Sequence, residues 1–248
     1  MTTRILTPVG NVADLLLWKP KMVMLQQAGY ECIVKMGCLI DDNRNYLVTN
    51  NCQKIKQKIP DGVSIFIDSD MDFDLEDVQA LEDACHKYPI IGVPYRNQKD
   101  DGIDCCGNKE HSKSGIVEVP YTGTGMLAIQ NFVFSHMDFP YFSRPIVKKS
   151  GFAAHMGEDL YFCQEARKLG FKIHAHYGIT IKHNIRKEQL MDNQKKSETA
   201  PQDLDKPLLA VQEILSAMNK AYKAVYAQAC ADQAELAKAK PKVASKKT

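Results

Sequence analysis

The sequence predicts an α/β fold, with a mostly parallel sheet flanked by helices, on three observations. Strand-like apolar segments alternate with helix-like ones through the first half of the chain, the pattern of parallel strands joined by helical crossovers. Ile65-Phe66-Ile67 is an uninterrupted apolar run, as a strand buried on both faces requires. That run stops at Asp68-Ser69-Asp70-Met71-Asp72, and the carboxylates fall where open α/β sheets bind ligands, at the emerging end of a strand.

The elements follow in order. Residues 4–7 read as a first strand closed by Pro8, and 23–28 as a helix following Pro20. Residues 31–36 form a second strand, and 45–58 a helix opened by Asp42 and Asn43. After the acidic strand, 63–67, comes a helix over 75–87 with Asp74 as its N-cap, then a strand over 90–93. The polar span 96–113 is too long for an ordinary connection and is read as functional or mobile. Beyond it lie a strand at 116–119, the turn Gly123-Thr124-Gly125 and an apolar segment over 126–129. A helix over 158–169 ends at Gly170, followed by strands around 171–176 and 179–182. Residues 185–206 read as a linker or lid. From Pro207 to 237 a helix carries Leu208, Val211, Leu215, Met218, Tyr222 and Val225 at helical spacing, a stripe suited to docking on the main domain or to making an oligomer. Residues 238–248 hold five lysines and no acid, a basic tail expected to be disordered, with polyanion binding as its functional reading.

With 248 residues and 44% hydrophobic content, the chain can bury one large core. A formal charge of +2 gives no global argument for nucleic acid or membrane. The start, Met1-Thr2-Thr3-Arg4, runs into a strand-like segment and not a leader, and no apolar run approaches the ~20 residues of a spanning helix. A soluble, cytoplasmic protein is expected. The eight cysteines are scattered without a Cys-x-x-Cys pair, which favours buried reduced thiols. Cys105 and Cys106 sit in the polar span, with exposure expected and no role assigned.

Four features carry chemistry, in fixed order: Asp68-Ser69-Asp70, Gly123-Thr124-Gly125, Gly157-Glu158-Asp159 and His183-Asn184. Carboxylates spaced i, i+2 at a strand end can both turn toward one hard divalent cation, and such a cation can hold a diphosphate. Glu158 and Asp159 open a helix, where carboxylates favour the positive end of the dipole or serve in proton transfer. His174 and His176 share one face of a strand, but only His183 offers a third ligand for zinc, so they are read as strand histidines with local partners.

In this order and context the sequence resembles a nucleotide-sugar glycosyltransferase of the GT-A fold, near the large inverting, family 2-like group. The resemblance spans roughly residues 4–184 and includes the helix flavour Asp159-Leu160-Tyr161-Phe162-Cys163-Gln164-Glu165-Ala166-Arg167-Lys168-Leu169-Gly170-Phe171. It implies a Rossmann-like GT-A domain over 1–184; the linker or lid over 185–206, the C-terminal helical extension over 207–237 and the tail over 238–248 lie beyond the resemblance and rest on composition and periodicity. The implied reaction moves a sugar from a UDP- or GDP-sugar to an acceptor hydroxyl with inversion, aided by Mn2+ or Mg2+ acting on the leaving diphosphate. By resemblance Asp70 is the direct metal ligand, Asp68 meets the ribose or a metal-bound water, and His183 is a third ligand. Thr7 and Pro8 lie where the family contacts the base, and Arg44 of Arg44-Asn45 lies near the nucleotide. Gly123, Thr124 and Gly125 let backbone approach the donor sugar or diphosphate. Asp159 is the general base, with Glu158 binding the acceptor or exchanging roles with it. Saccharide, lipid-linked, protein and, through the lysine tail, modified DNA acceptors all remain open.

Competing readings fare less well. A calcium loop starting at Asp68 needs Gly at its sixth position and Glu at its twelfth, where this chain has Phe73 and Gln79. A phosphatase of the haloacid dehalogenase type expects Thr or Val where Asp72 stands. A nucleotidyltransferase of similar fold wants a basic residue in the first loop, and Thr7-Pro8-Val9-Gly10-Asn11-Val12 has none. A catalytically silent sugar-binding relative is the non-enzyme alternative, against which the Glu158-Asp159 pair argues.

Overall fold

Each central strand divides its side chains between two cores, because helices cover both faces of the sheet. In the computed structural model, which describes residues 2–37, 39–49, 59–95, 104–107, 114–149 and 152–183, β1 spans Thr2–Val9, α1 Val12–Gln27, β2 Glu31–Met36, α2 Ile40–Thr49 and β3 Gly62–Ile67. Then follow β4 (Met71–Asp72), α3 (Leu75–Lys87), β5 (Ile90–Gly92), β6 (Ile116–Val119) and β7 (Met126–Gln130). The described elements end with α4 (Phe132–His136), β8 (Ile146–Lys149), β9 (Phe152–His155), α5 (Glu158–Lys168), β10 (Ile173–His176) and β11 (Lys182–His183). On β3, Val63, Ile65 and Ile67 face one core with Trp18 and Leu25 of α1 and Val78 and Leu81 of α3. Phe66 faces the other, with Leu47 of α2, Phe134 of α4 and Phe162 of α5. The two-residue strand period thus explains why the sequence is apolar without alternation there.

Among the described residues, seven strands form one sheet in the order β2-β1-β3-β7-β5-β10-β6. β1 pairs in parallel with β2 and β3, and β5 with β10. β7 runs antiparallel to β3 and β5, and β6 antiparallel to β10. The sheet is therefore mixed and mostly parallel, as the sequence predicts. β4 pairs with β11, and β8 with β9, as separate two-stranded ribbons.

Local chemistry accounts for most boundaries. α3 begins after Asp74, whose backbone N–H is taken by the Asp77 carboxylate at 2.9 Å. α5 is followed by Gly170 at φ +89°, the left-handed region that glycine enters without penalty. Two expectations need correction. The helix expected over 23–28 starts eleven residues earlier, at Val12, and runs through Pro20, which is exposed. The helix expected from Asn45 starts at Ile40, which places Arg44 inside it and not at its opening. The strand expected over 179–182 is reduced to β11. Residues 185–206, 207–237 and 238–248, and the end of the helix expected over 45–58, lie outside the described residues.

Candidate active site

Parallel β2, β1 and β3 bring the ends of three strands to one edge of the sheet, and the loops leaving them enclose a cavity of about 430 Å³. That volume suits a small-molecule site. Pro8, Val9 and Asp14 line it from the β1–α1 side, Gly37 and Asn43 from the β2–α2 side, and Asp68 and Asp70 from the end of β3. The walls are locally pinned. Asn11 caps α1 by accepting the Asp14 N–H at 3.1 Å, and the Asn43 side chain donates to the Gly37 carbonyl at 3.0 Å. A Cβ at Gly37 would lie 2.5 Å from the Asn43 amide oxygen, so a larger residue here would displace the Asn43 side chain. Among the described residues, the lining contains three carboxylates, Asp14, Asp68 and Asp70, and no lysine or arginine.

Behind the cavity, Arg44 of α2 is 2% exposed and joins two of the sequence motifs. Its Nη2 donates to both Asp68 carboxylate oxygens, at 2.9 and 3.2 Å, and its Nε stands 3.5 Å from Glu158 Oε1. Burial penalises the Arg44 charge, but Asp68 and Glu158 more than offset this and hold the guanidinium protonated. Burial pushes the Asp68 carboxyl above its ordinary range; Arg44 pulls it back and neighbouring Asp70 adds to the push. A third motif arrives through the backbone, where the Asp68 N–H donates to the Gly125 carbonyl at 2.9 Å. Asp68-Ser69-Asp70, Gly123-Thr124-Gly125 and Glu158-Asp159, scattered along the chain, therefore meet around Arg44.

Asp159 occupies the first turn of α5, with Gly157 as N-cap. Its Oδ1 accepts the Leu160 N–H at 2.7 Å. A Cβ at Gly157 would fall 2.5 Å from that oxygen, so a larger residue here would displace the Asp159 carboxylate. Burial, then the charge of Glu158, pushes the Asp159 carboxyl above its ordinary range. Tyr95, just past β5, stands near these carboxylates: its phenol is pushed up by burial and by Cys105, Asp68 and Asp159. A Cβ at Gly125 would lie 2.6 Å from the Tyr95 ring, and one at Gly123 would strike the Tyr95 hydroxyl. The close approach that these two glycines permit is thus with Tyr95, and Thr124 between them is buried.

The remaining sequence candidates are placed as follows. Thr7 is buried beside Pro8, its hydroxyl without a hydrogen-bond partner among the described residues. His183 pairs across β11 and β4 with Met71, the residue after Asp70; its side chain lies outside the description. Among the described residues, no three His, Cys, Asp or Glu side chains group as a closed metal site. His176 Nδ1 accepts the Gly178 N–H at 3.2 Å and the His174 ring packs 4.5 Å from that of Tyr88, so both strand histidines have local contacts. Sequence reasoning missed Tyr95, Asn43 and Asp14. Asn11-x-x-Asp14 has the spacing of a helix cap and could have flagged the last; Tyr95 carries no local signal.

No family model matches the sequence, and no curated protein matches it. Among solved structures, A197 from STIV is similar over 75% of this chain and 86% of that chain, with 19% sequence identity and a TM-score of 0.52. The inositol-1-phosphate CTP transferase from T. maritima is similar over 74% of this chain and 70% of that chain, with 14% identity and a TM-score of 0.36. At 19% identity the likeness to A197 is one of fold. With the seven-stranded, mostly parallel sheet between helices, the architecture is that of the Rossmann-like GT-A fold.

Proposed function

We propose that this protein is a metal-dependent glycosyltransferase that moves a sugar from a UDP- or GDP-sugar to an acceptor hydroxyl, with inversion by direct displacement. The observation that carries the reading is Arg44, which ties the acidic cavity at the end of β3 to the Glu158-Asp159 turn of α5. A donor-sized cavity and a half-buried carboxylate pair are thereby linked through one guanidinium.

Charge supports the need for a cation. A diphosphate entering a cavity lined, among the described residues, by Asp14, Asp68 and Asp70 and by no lysine or arginine meets like charge, while Arg44 behind it already pairs with Asp68 through Nη2 and stands 3.5 Å from Glu158 through Nε. Hard carboxylate oxygens suit Mn2+ or Mg2+ with diphosphate and water completing the shell. Asp70 would hold the ion, with Asp68 orienting the ribose or a bound water, and His183 following Asp70's neighbour across β11 and β4. Bound there, the ion supplies Lewis-acid stabilisation of the leaving diphosphate. The same charge pattern disfavours a nucleotidyltransferase, whose triphosphate would demand more positive charge in the lining.

The carboxylate pair divides its work. Glu158 is held by Arg44, while Asp159 bonds the Leu160 N–H through Oδ1. Asp159 is therefore assigned as the base that takes the acceptor hydroxyl's proton, and its raised pKa makes it a stronger base than an ordinary aspartate. Glu158, held by Arg44, is assigned to positioning the pair and binding the acceptor. The test is release of nucleoside diphosphate from a panel of UDP- and GDP-sugars, with water or added saccharides as acceptor. Release that requires Mn2+ or Mg2+ and stops with a chelator is expected. Release indifferent to the metal, or none from any donor, would contradict the reading.

A further inference from the structure

Two adjacent thiols lie against the Gly123-Thr124-Gly125 turn, and the proposed transfer uses neither. Cys106 is fully buried, with Sγ 3.4 Å from the Thr122 hydroxyl, while Cys105 is half-buried, with its Sγ 4.0 Å from that of Cys106. Their backbone is held on both sides: the Cys105 N–H donates to the Tyr95 carbonyl at 3.1 Å, and the Cys106 N–H to Asp104 at 2.9 Å. Asp104 in turn accepts the Tyr177 hydroxyl at 2.7 Å.

We propose that Cys105 and Cys106 form a reversible thiol–disulfide exchange site for small disulfides of the glutathione type, whose closure shifts Tyr95 against the Gly123-Thr124-Gly125 turn beside the candidate active site. Geometry separates the roles. Cys105 is the more exposed residue of the pair and Cys106 is fully buried, so an incoming disulfide meets Cys105 first; its Sγ lies 3.9 Å from the Val93 carbonyl and 4.0 Å from the Cys106 Sγ. The Cys106 thiol, and backbone bonds at Tyr95 and Gly123, draw its pKa down against burial, while donation to Cys105 and burial push Cys106 up. The thiolate is the nucleophile, so Cys105 attacks. Its sulfur displaces one thiolate from the incoming disulfide and leaves a mixed disulfide on Cys105. Cys106 then gives its proton to a released glutathione thiolate and attacks the Cys105 sulfur, expelling the second glutathione sulfur. One disulfide is reduced to two thiols and the cysteine pair is oxidised by the same two electrons.

The product is a strained bridge. Consecutive Cα atoms are ~3.8 Å apart across a trans peptide, below the ~4.4 Å at which ordinary disulfides begin. Strained bridges are the readily reduced, labile ones, so this bond opens again under reducing conditions. Its formation must alter the backbone at Cys105 and Cys106. That backbone bonds Tyr95, the ring of Tyr95 fills the space beside Gly123 and Gly125, and the Gly125 carbonyl holds Asp68.

The full-length protein is reduced, then equilibrated with oxidised glutathione, trapped with alkylating reagent and mapped by peptide mass. The expected result is a peptide containing Cys105 and Cys106 that is lighter by two hydrogens, carries no glutathione and is restored by dithiothreitol. The Cys106→Ser variant should retain one glutathione on Cys105. Free Cys105 and Cys106 thiols throughout, a persistent glutathione adduct on wild-type Cys105, or a bridge from Cys106 to Cys163 would each overturn the proposal; wild-type mapping decides this even if the variant fails to fold. The effect on the site rests on the functional reading. Thermal stabilisation by UDP or GDP with Mn2+ should be lost on closure and regained on reduction. Unchanged stabilisation after full closure would overturn the coupling. No stabilisation of the reduced protein would overturn the functional reading instead, with the peptide map still deciding the thiol chemistry.

Discussion

Asp159 and Arg44 bear opposite relations to stability. The Asp159 carboxyl titrates above its ordinary range in the folded protein because it is buried beside Glu158. Between the unfolded and folded pKa values the folded state binds more protons, so stability falls as pH rises through that window. Above it the charged carboxylate is a standing cost. Asp159→Asn should therefore raise the melting temperature at neutral pH, with the gain vanishing in acid below the ordinary aspartate pKa. The same change should lower transfer about 10²–10⁴-fold, the usual worth of a general base, while donor binding survives. In the wild type, the acid limb of the rate profile should lie above the ordinary aspartate value, because only the ionised form accepts a proton. Arg44 acts in the other sense. Arg44→Met would leave Asp68 and Glu158 without their shared cation, at a cost of roughly 3 kcal/mol, as for other broken buried pairs. Denaturant unfolding measures this, and a loss below ~1 kcal/mol would show that solvent already screens the pair.

Elements set where those residues stand, and two of them break simple sequence rules. In α1, Pro20 removes a hydrogen bond from the helix interior, which ordinarily costs ~3 kcal/mol, yet the helix passes through it because the residue is exposed and Trp18 and Leu25 anchor the opposite face. Pro20→Ala should stabilise the protein by about 2 kcal/mol, since a flexible unfolded chain returns some of the gain; a shift in the denaturant midpoint reads it. The turn before β7 is constrained in the other direction. Gly125→Ala would place a methyl 2.6 Å from the Tyr95 ring and should cost about 1–3 kcal/mol by overpacking. In a Tyr95→Leu background that cost should shrink, a coupling that a double-mutant cycle detects.

Across the whole molecule, the parts legible in the sequence are those governed by short-range periodicity. β3 and α3 could be read because an apolar run ending in acids and a capped amphipathic stretch are each complete within a few residues. α1 was truncated by treating Pro20 as a start signal, and the reason it is not one lies in burial, which sequence does not display. α4 and the β8–β9 ribbon are too short to show a period. For the site, the acidic strand end, the glycine turn and the Glu-Asp pair were visible singly. Their meeting at Arg44, and the Tyr95 ring that the two glycines accommodate, depend on contacts between distant segments. The central claim is that Asp70 holds a divalent cation through which the acidic cavity accepts a nucleoside diphosphate. Titration calorimetry of UDP and GDP, with and without Mn2+, on wild type and Asp70→Ala tests it most directly. The account predicts binding by the wild type only when Mn2+ is present, and none by Asp70→Ala. Equal binding without the metal, or an Asp70→Ala variant that binds the metal–nucleotide pair as wild type does, would contradict it.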